Sequence, residues 1–164
     1  MMCAMKFRTE LSYDAPPADV FAMLSDPAFR ERVCEAQKTV SHDVTVEVAG
    51  AGMTVTVETE QNTAGLPSIA KKIVGDTTRA VLKEIWKDGS GGTVEITAPG
   101  KPTNAAGTVR LLEAGAGTTE LVELEVKVKV PLIGGKLEAL MAETIKDGYD
   151  VEYGVGRDWL AGNR

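Results

Sequence analysis

The stretch GKLEALMAETIKDGYDVEYGVGRDWL, Gly135–Leu160, decides how the rest of the chain is read. At about 100° per residue, Leu137, Leu140, Met141, Thr144, Ile145, Gly148, Val151, Glu152, Val155 and Trp159 share one broad face. Glu143, Lys146, Asp147, Asp150, Arg157 and Asp158 occupy the other. This spacing predicts a long amphipathic helix that needs a large apolar surface to pack against. Two features conflict with simple packing. Gly148, Gly154 and Gly156 each weaken a helix interior by about 1 kcal/mol relative to alanine. Glu152 also places a carboxylate among apolar neighbours, where it must be paired, hydrogen-bonded, protonated or wet.

The surface for that helix lies upstream. Met5, Phe7, Thr9, Leu11 and Tyr13 alternate with Lys6, Arg8, Glu10 and Ser12, the period of a half-buried strand. In DAPPADVFAMLSD the period changes, and Asp14-Ala-Pro-Pro followed by Val20, Phe21 and Leu24 predicts a short helix. Ser25-Asp26-Pro27 starts a second, running through Phe29 and Val33 to about Gln37. From Val40 the period of two returns. Val44, Val46 and Val48 form one inner face, and Met53, Val55, Val57 and Thr59 form the next after the Gly50-Ala-Gly turn. Further strands are expected at Thr78–Lys87, Thr93–Ala98, Thr108–Ala114 and around Val122–Val130, with tight turns at DGSGG and GAG. Such turns imply an antiparallel sheet with one wet face. Only GLPSIAKKIVGD, Gly65–Asp76, interrupts the meander, with helical spacing of Leu66, Ile69, Ala70, Ile73 and Val74. It reads as a short amphipathic helix or lid, either packed over the end of the sheet or acting as a gate.

Composition fits one domain of 164 residues, with an ordered core over about residues 5–160. Eighteen Lys and Arg against 24 Asp and Glu give a net charge of −6, which argues against a nucleic-acid footprint. No apolar run approaches the length of a membrane span. The opening MMCAM has no signal-peptide core or cleavage pattern, and regular structure is expected to begin at Met5. Cys3 and Cys34 form no metal or redox motif and read as free thiols of a cytoplasmic protein.

The order strand, two short helices, six strands and long helix resembles the START-like, or SRPBCC, helix-grip superfamily. The likeness is carried by LSYDAPPADVFAMLSDPAFRERVCE at the front and KVPLIGGKLEALMAE before the long helix. Within the superfamily the chain is most similar to small bacterial proteins of unknown function. The resemblance implies an α+β fold in which a curved antiparallel sheet of about seven strands wraps around the C-terminal helix. It also implies an apolar cavity for lipids, polyketides or other small hydrophobic molecules. Some members are cyclases, hydratases or oxygenase subunits, so the fold implies a pocket and no particular activity.

Few residues carry chemistry by pattern. His42 is the only histidine, on the parity of Val44 and Val46, and is expected on the concave face near a strand end. Ser41-His42-Asp43 cannot form a triad because neighbours on a strand point to opposite faces. The ligand count leaves no familiar zinc or iron–sulfur set, and no cofactor is expected. The residues expected to line a hydrophobic ligand cavity are Leu137, Met141, Thr144, Gly148, Glu152 and Trp159, with His42 at its edge. Glu152 reads either as a polar contact in that cavity or as a stripe-edge residue reaching solvent, Arg79 or Lys83. Gly148, near the centre of the stripe, marks a close approach to the sheet or a space left for a ligand. Hydrophobic small-molecule binding is the leading expectation. A cyclase- or hydratase-type enzyme using Glu152, Tyr149 and His42 is the alternative, and a protein-interaction module with a collapsed pocket is the third class. No catalytic residue, membrane insertion or oligomeric state follows from the sequence.

Overall fold

The computed structural model describes residues 4–164, so Cys3 lies outside it. The chain begins with β1 (Met5–Tyr13), α1 (Pro17–Leu24) and α2 (Pro27–Ala36). The strands β2 (Ser41–Ala49) and β3 (Gly52–Asn62) follow, then α3 (Ser68–Val74). The meander continues through β4 (Thr77–Asp88), β5 (Gly91–Thr97), β6 (Thr103–Ala114) and β7 (Gly117–Val128), and α4 (Gly134–Leu160) closes the chain. All seven strands form one antiparallel sheet in the order β1-β7-β6-β5-β4-β3-β2. With α4 on its inner face, this is the helix-grip arrangement expected from the sequence.

Local chemistry sets the helix starts. Pro17 and Pro27 open α1 and α2, and Asp26 accepts a hydrogen bond from Ala28 N at 2.9 Å. Register sets the core. The row Val55, Glu84, Val94, Gly107 and Leu124 crosses five strands on the inner face. The neighbouring inner row holds Val57, Leu82, Ile96, Ala105 and Val126. A slip of one residue would turn every one of these side chains to solvent.

β6 begins at Thr103 rather than Thr108. Its missed half has small inner residues, Ala105 and Gly107, so the apolar alternation is faint. Ala105 is nonetheless fully buried, and a Cβ at Gly107 would run into the Glu123 carbonyl oxygen of the neighbouring strand.

The buried face of α4 also differs in its centre. The deeply buried positions are Gly134, Leu137, Glu138, Ala142, Tyr149, Glu152, Gly156 and Trp159, with Met141 and Ile145 half-buried between them. Steps of three and four from Glu138 to Trp159 trace a narrow seam, closer to a 3.5-residue period than to the broad face drawn from the sequence. Thr144 falls off this seam and is exposed, its hydroxyl donating to Leu140 O at 3.0 Å. Gly148 is at the seam's flank, where its carbonyl accepts from Gln37 Nε2 at 3.0 Å.

The point of closest approach is therefore Gly156. A Cβ there would lie 2.8 Å from the buried Tyr13 ring, whereas one at the exposed Gly154 would meet nothing. Gly156→Ala is expected to destabilise the protein by about 1–3 kcal/mol through overpacking. Gly154→Ala should stabilise it by about 0.5–1 kcal/mol through helix propensity. Urea denaturation of the two variants beside the parent checks the opposite signs.

Candidate functional site

The interior between α4 and the sheet divides into an apolar groove and a charged cluster. α4 packs mainly against α2, β1 and β7. Over the other half of the sheet, the inward-facing Val44, Val46, Leu82 and Ile96 are only half-buried, as are Met141 and Ile145 on the helix. Val44 and Val46 stand on the edge strand β2, but Leu82 and Ile96 are on interior strands that full helix cover would seal, so their partial exposure marks a groove beside α4. At one end Leu66, Ala70 and Ile73 of the α3 segment pack with Val128, Leu137, Leu140 and Met141. The α3 segment thus covers that end, and Met141 belongs to both its apolar cluster and the main core.

Charge begins where the groove meets the middle of the sheet. Glu84 follows Leu82 on the inner face of β4, and Tyr149 and Glu152 follow Ile145 along α4. Arg30 reaches in from α2 and is only 3% exposed. Its two terminal nitrogens donate to the Glu84 carboxylate at 3.1 and 2.9 Å, and its Nε donates to Leu24 O at 2.8 Å. Trp86 Nε1 also donates to Glu84, at 2.8 Å. Glu84 is therefore well satisfied.

Glu152 is not. Its Oε1 lies 3.9 Å from Arg30, an electrostatic contact too long for a hydrogen bond, and its Oε2 has no partner in the protein. Glu120, on the inner face of β7, completes the group at 2% exposure, with Oε1 also unpartnered. So is the Tyr13 hydroxyl, held across Gly156. Buried polar atoms are nearly always hydrogen-bonded, so three orphans in one polar cluster are unusual.

One cation thus faces three carboxylates. Burial opposes charge on Arg30, but Glu84 and Glu152 outweigh it and hold the guanidinium protonated. Burial pushes Glu152 up to about 7, with Arg30 opposing the shift and Glu84 adding to it. Burial also raises Glu120 well above the ordinary carboxylate range, helped by Glu152 and Glu84. The Tyr13 and Tyr149 hydroxyls are held neutral, first by burial and then by the surrounding carboxylates.

Among the residues expected from sequence, Glu152 is in this cluster and Met141 borders the groove. Leu137 is buried beneath α3. Trp159 is core, its ring edge-on to Phe29 with centroids 5.6 Å apart. Gly148 faces Gln37 and Thr144 faces solvent, as described above. His42 has the expected parity but is exposed, with Nδ1 3.5 Å from Thr39 Oγ1, and it does not join Tyr149 and Glu152 in the interior. Arg79 pairs on the surface with Glu58 at 2.7 Å and Lys83 is exposed, so neither partners Glu152.

Arg30, Glu84 and Glu120 were not expected. A signal for two of them existed: Glu84 has the parity of Leu82 and Trp86, and Glu120 that of Val122 and Leu124. A separate surface depression of about 300 Å³ lies at the end of β1 and the β6–β7 turn, among Ser12, Tyr13, Asp14, Gly117 and Thr118. It shares Tyr13 with the polar cluster and holds none of the apolar groove residues.

A family model described as "Protein of unknown function (DUF2505)" matches residues 8–160. The chain belongs to this family. Solved structures show what fold the DUF2505 chain shares. TTHA0849 from Thermus thermophilus is 20% identical, with 98% of this chain and 100% of that one covered and a TM-score of 0.66. Ara h 8.0201 is 15% identical over 98% and 99% of the two chains, at a TM-score of 0.63. The di-domain ARO/CYC BexL from the BE-7585A biosynthetic pathway is 15% identical, with 95% of this chain matching 50% of that one at 0.61. At such identities the likeness is one of fold, and it bears out the resemblance to the START-like, or SRPBCC, proteins. No curated protein matches the chain. No helix among the described residues is long and apolar enough to cross a membrane.

The raised Glu152 pKa makes a signed stability prediction. Because the folded state holds this proton more tightly than the unfolded chain, its contribution is complete below about 4.5 and lost as pH rises through about 7. Glu152→Gln removes this dependence. Its stability relative to the parent is expected to increase steadily from pH 5 to pH 8, as measured by urea denaturation across that range.

Proposed function

We propose that this DUF2505 protein binds a small, largely apolar molecule in the groove between α4 and the β2–β5 half of the sheet. The observation that carries this reading is the partial exposure of inward-facing apolar residues on two facing walls: Val44, Val46, Leu82 and Ile96 on the sheet, and Met141 and Ile145 on α4. Small-molecule sites are commonly concave and mostly apolar, with a few convergent polar groups. The cluster around Glu152 supplies such groups at the groove's inner end. A START-like fold supports the reading as a class of binding scaffold, not as evidence for one ligand. In this reading Met141 and Ile145 contact the apolar body and Glu152 a polar group. Leu137 and Trp159 shape the site from behind, and Thr144, Gly148 and His42 are outside it.

The buried free thiol of Cys34 accords with a reducing compartment such as the cytoplasm. An acid–base enzyme is the second reading, favoured by the burial that raises Glu152 to about 7. It would use Glu152 and Glu120 on a molecule held in the same groove, without His42.

Filling the groove tests the binding reading. Leu82→Trp is expected to weaken binding of an apolar fluorescent probe by about tenfold or more, equivalent to roughly 1.4 kcal/mol. Ile85→Trp, on the exposed outer face of the same strand, should leave it unchanged. Equal affinities for both variants and the parent, with amide spectra showing intact folds, would place the probe elsewhere and remove the basis for the groove.

A further inference from the structure

We propose that the polar group recognised by this site is an organic cation, an ammonium carried on an apolar body. Resting on the groove reading above, the proposal adds the chemical class of the ligand's head. Its basis is an imbalance of charge and of hydrogen bonds in one buried place. Glu84 uses the Arg30 fork and Trp86 Nε1, leaving Glu152 with a 3.9 Å contact and Glu120 with no pairing cation. The unpartnered atoms are Glu152 Oε2, Glu120 Oε1 and the Tyr13 hydroxyl, from residues 6%, 2% and 2% exposed. All three are oxygens that can accept, and an ammonium is a compact donor of three hydrogen bonds with no acceptor of its own.

The alternatives fit less well. An anionic head would meet Glu120 and Glu152 with no free cation to receive it, since the guanidinium is already engaged by Glu84. A neutral hydroxyl could satisfy one acceptor but would leave the other two without a donor. Among the described residues no three His, Cys, Asp or Glu side chains form a set that could hold a metal ion, whereas an ammonium on a covalent frame needs no such set. The groove provides for that frame, because Leu82 leads to Glu84 on β4 and Ile145 leads through Tyr149 to Glu152 on α4.

Binding would also carry a proton signature. Glu152 is faced by Arg30 from α2, Glu84 from β4, Glu120 from β7, Tyr13 from β1 and Tyr149 on its own helix. Arg30 is the only cation in that set. An arriving ammonium favours the ionised carboxylates, so protons held by Glu152 and Glu120 are released as it binds, and affinity falls as pH drops below about 7.

The test compares octylammonium, 1-octanol and octanoate, which share one apolar chain, by amide NMR titration at pH 8 and pH 5.5. At pH 8 octylammonium is expected to bind about tenfold or more tightly than octanol, and octanoate the most weakly, with shifts at Leu82, Ile96 and Ile145. Calorimetry in two buffers of different ionisation enthalpy should show proton release with the amine and none with the alcohol. Glu120→Gln and Glu152→Gln should each reduce the preference for amine over alcohol to about threefold or less. Tyr13→Phe provides a milder third variant that keeps every charge. Equal binding of the three probes in the groove would overturn the cation assignment while leaving the groove reading intact. An amine preference insensitive to all three variants would overturn it too. If no probe shifts groove resonances up to its solubility limit, the groove reading falls and the cation assignment falls with it.

Discussion

The Arg30 guanidinium connects elements that no apolar contact would hold in the same way. It lies on α2, takes the last carbonyl of α1 through Nε, grips Glu84 on β4 with both terminal nitrogens, and faces Glu152 on α4. Both short helices are thereby fixed against the sheet and the long helix at once. A guanidinium at 3% exposure has no stable position except among acceptors, since an unpaired buried charge costs several kcal/mol. The packing of α2 against α4 follows from where those acceptors stand.

Stability does not account for the whole cluster. Well-packed apolar residues often replace a buried ion pair at no loss, and a third carboxylate without a partner makes the balance worse. Glu120 could be relieved by a side chain from the facing elements, but Leu11 and Leu111 flank it in the adjacent strands and Tyr13 stands nearby with its own hydroxyl unsatisfied. The fold thus gathers Arg30, Glu84, Glu120 and Glu152 at the end of an apolar groove and leaves acceptors over. The polarity of the interior is thus concentrated in one spot rather than spread along it.

The architecture was legible because its signals are periodic. Alternation over β1, β2, β3 and β7, proline-led helix starts and the long amphipathic segment each follow from one repeating chemical demand. The front half of β6 was not legible, because Ala105 and Gly107 are inward positions with almost no side chain to register in a pattern. The centre of α4 was misplaced for a related reason. Gly148 and Thr144 resemble interior residues by size and spacing, while the true seam runs through Glu138 and Tyr149, whose polar atoms disguise their burial, to the expected Glu152. Glu138 shows how: its carboxylate is buried because it accepts from Val128 N at 3.0 Å, closing the end of β7. A helical wheel cannot anticipate such a partner. Arg30 was invisible for the same reason, as only the meeting of α2, β4 and α4 reveals it to be internal.

The uneven seating of α4 unites these observations. Gly156 lets the helix settle onto Tyr13 near its C-terminal end, and Tyr149 stacks on Phe7 of the same strand with ring centroids 6.3 Å apart. Both contacts draw α4 toward β1. α4 accordingly packs on α2, β1 and β7, while inward apolar residues of β2, β4 and β5 stay partly exposed. The glycine that at first resembled a defect in the helix is thus one cause of the groove, acting by close contact on the opposite wall rather than by leaving a hole. Glu152 sits one turn before that contact, on the boundary between the tightly packed side and the open one. Its Oε1 stays within 3.9 Å of Arg30 while its Oε2 has no partner in the protein.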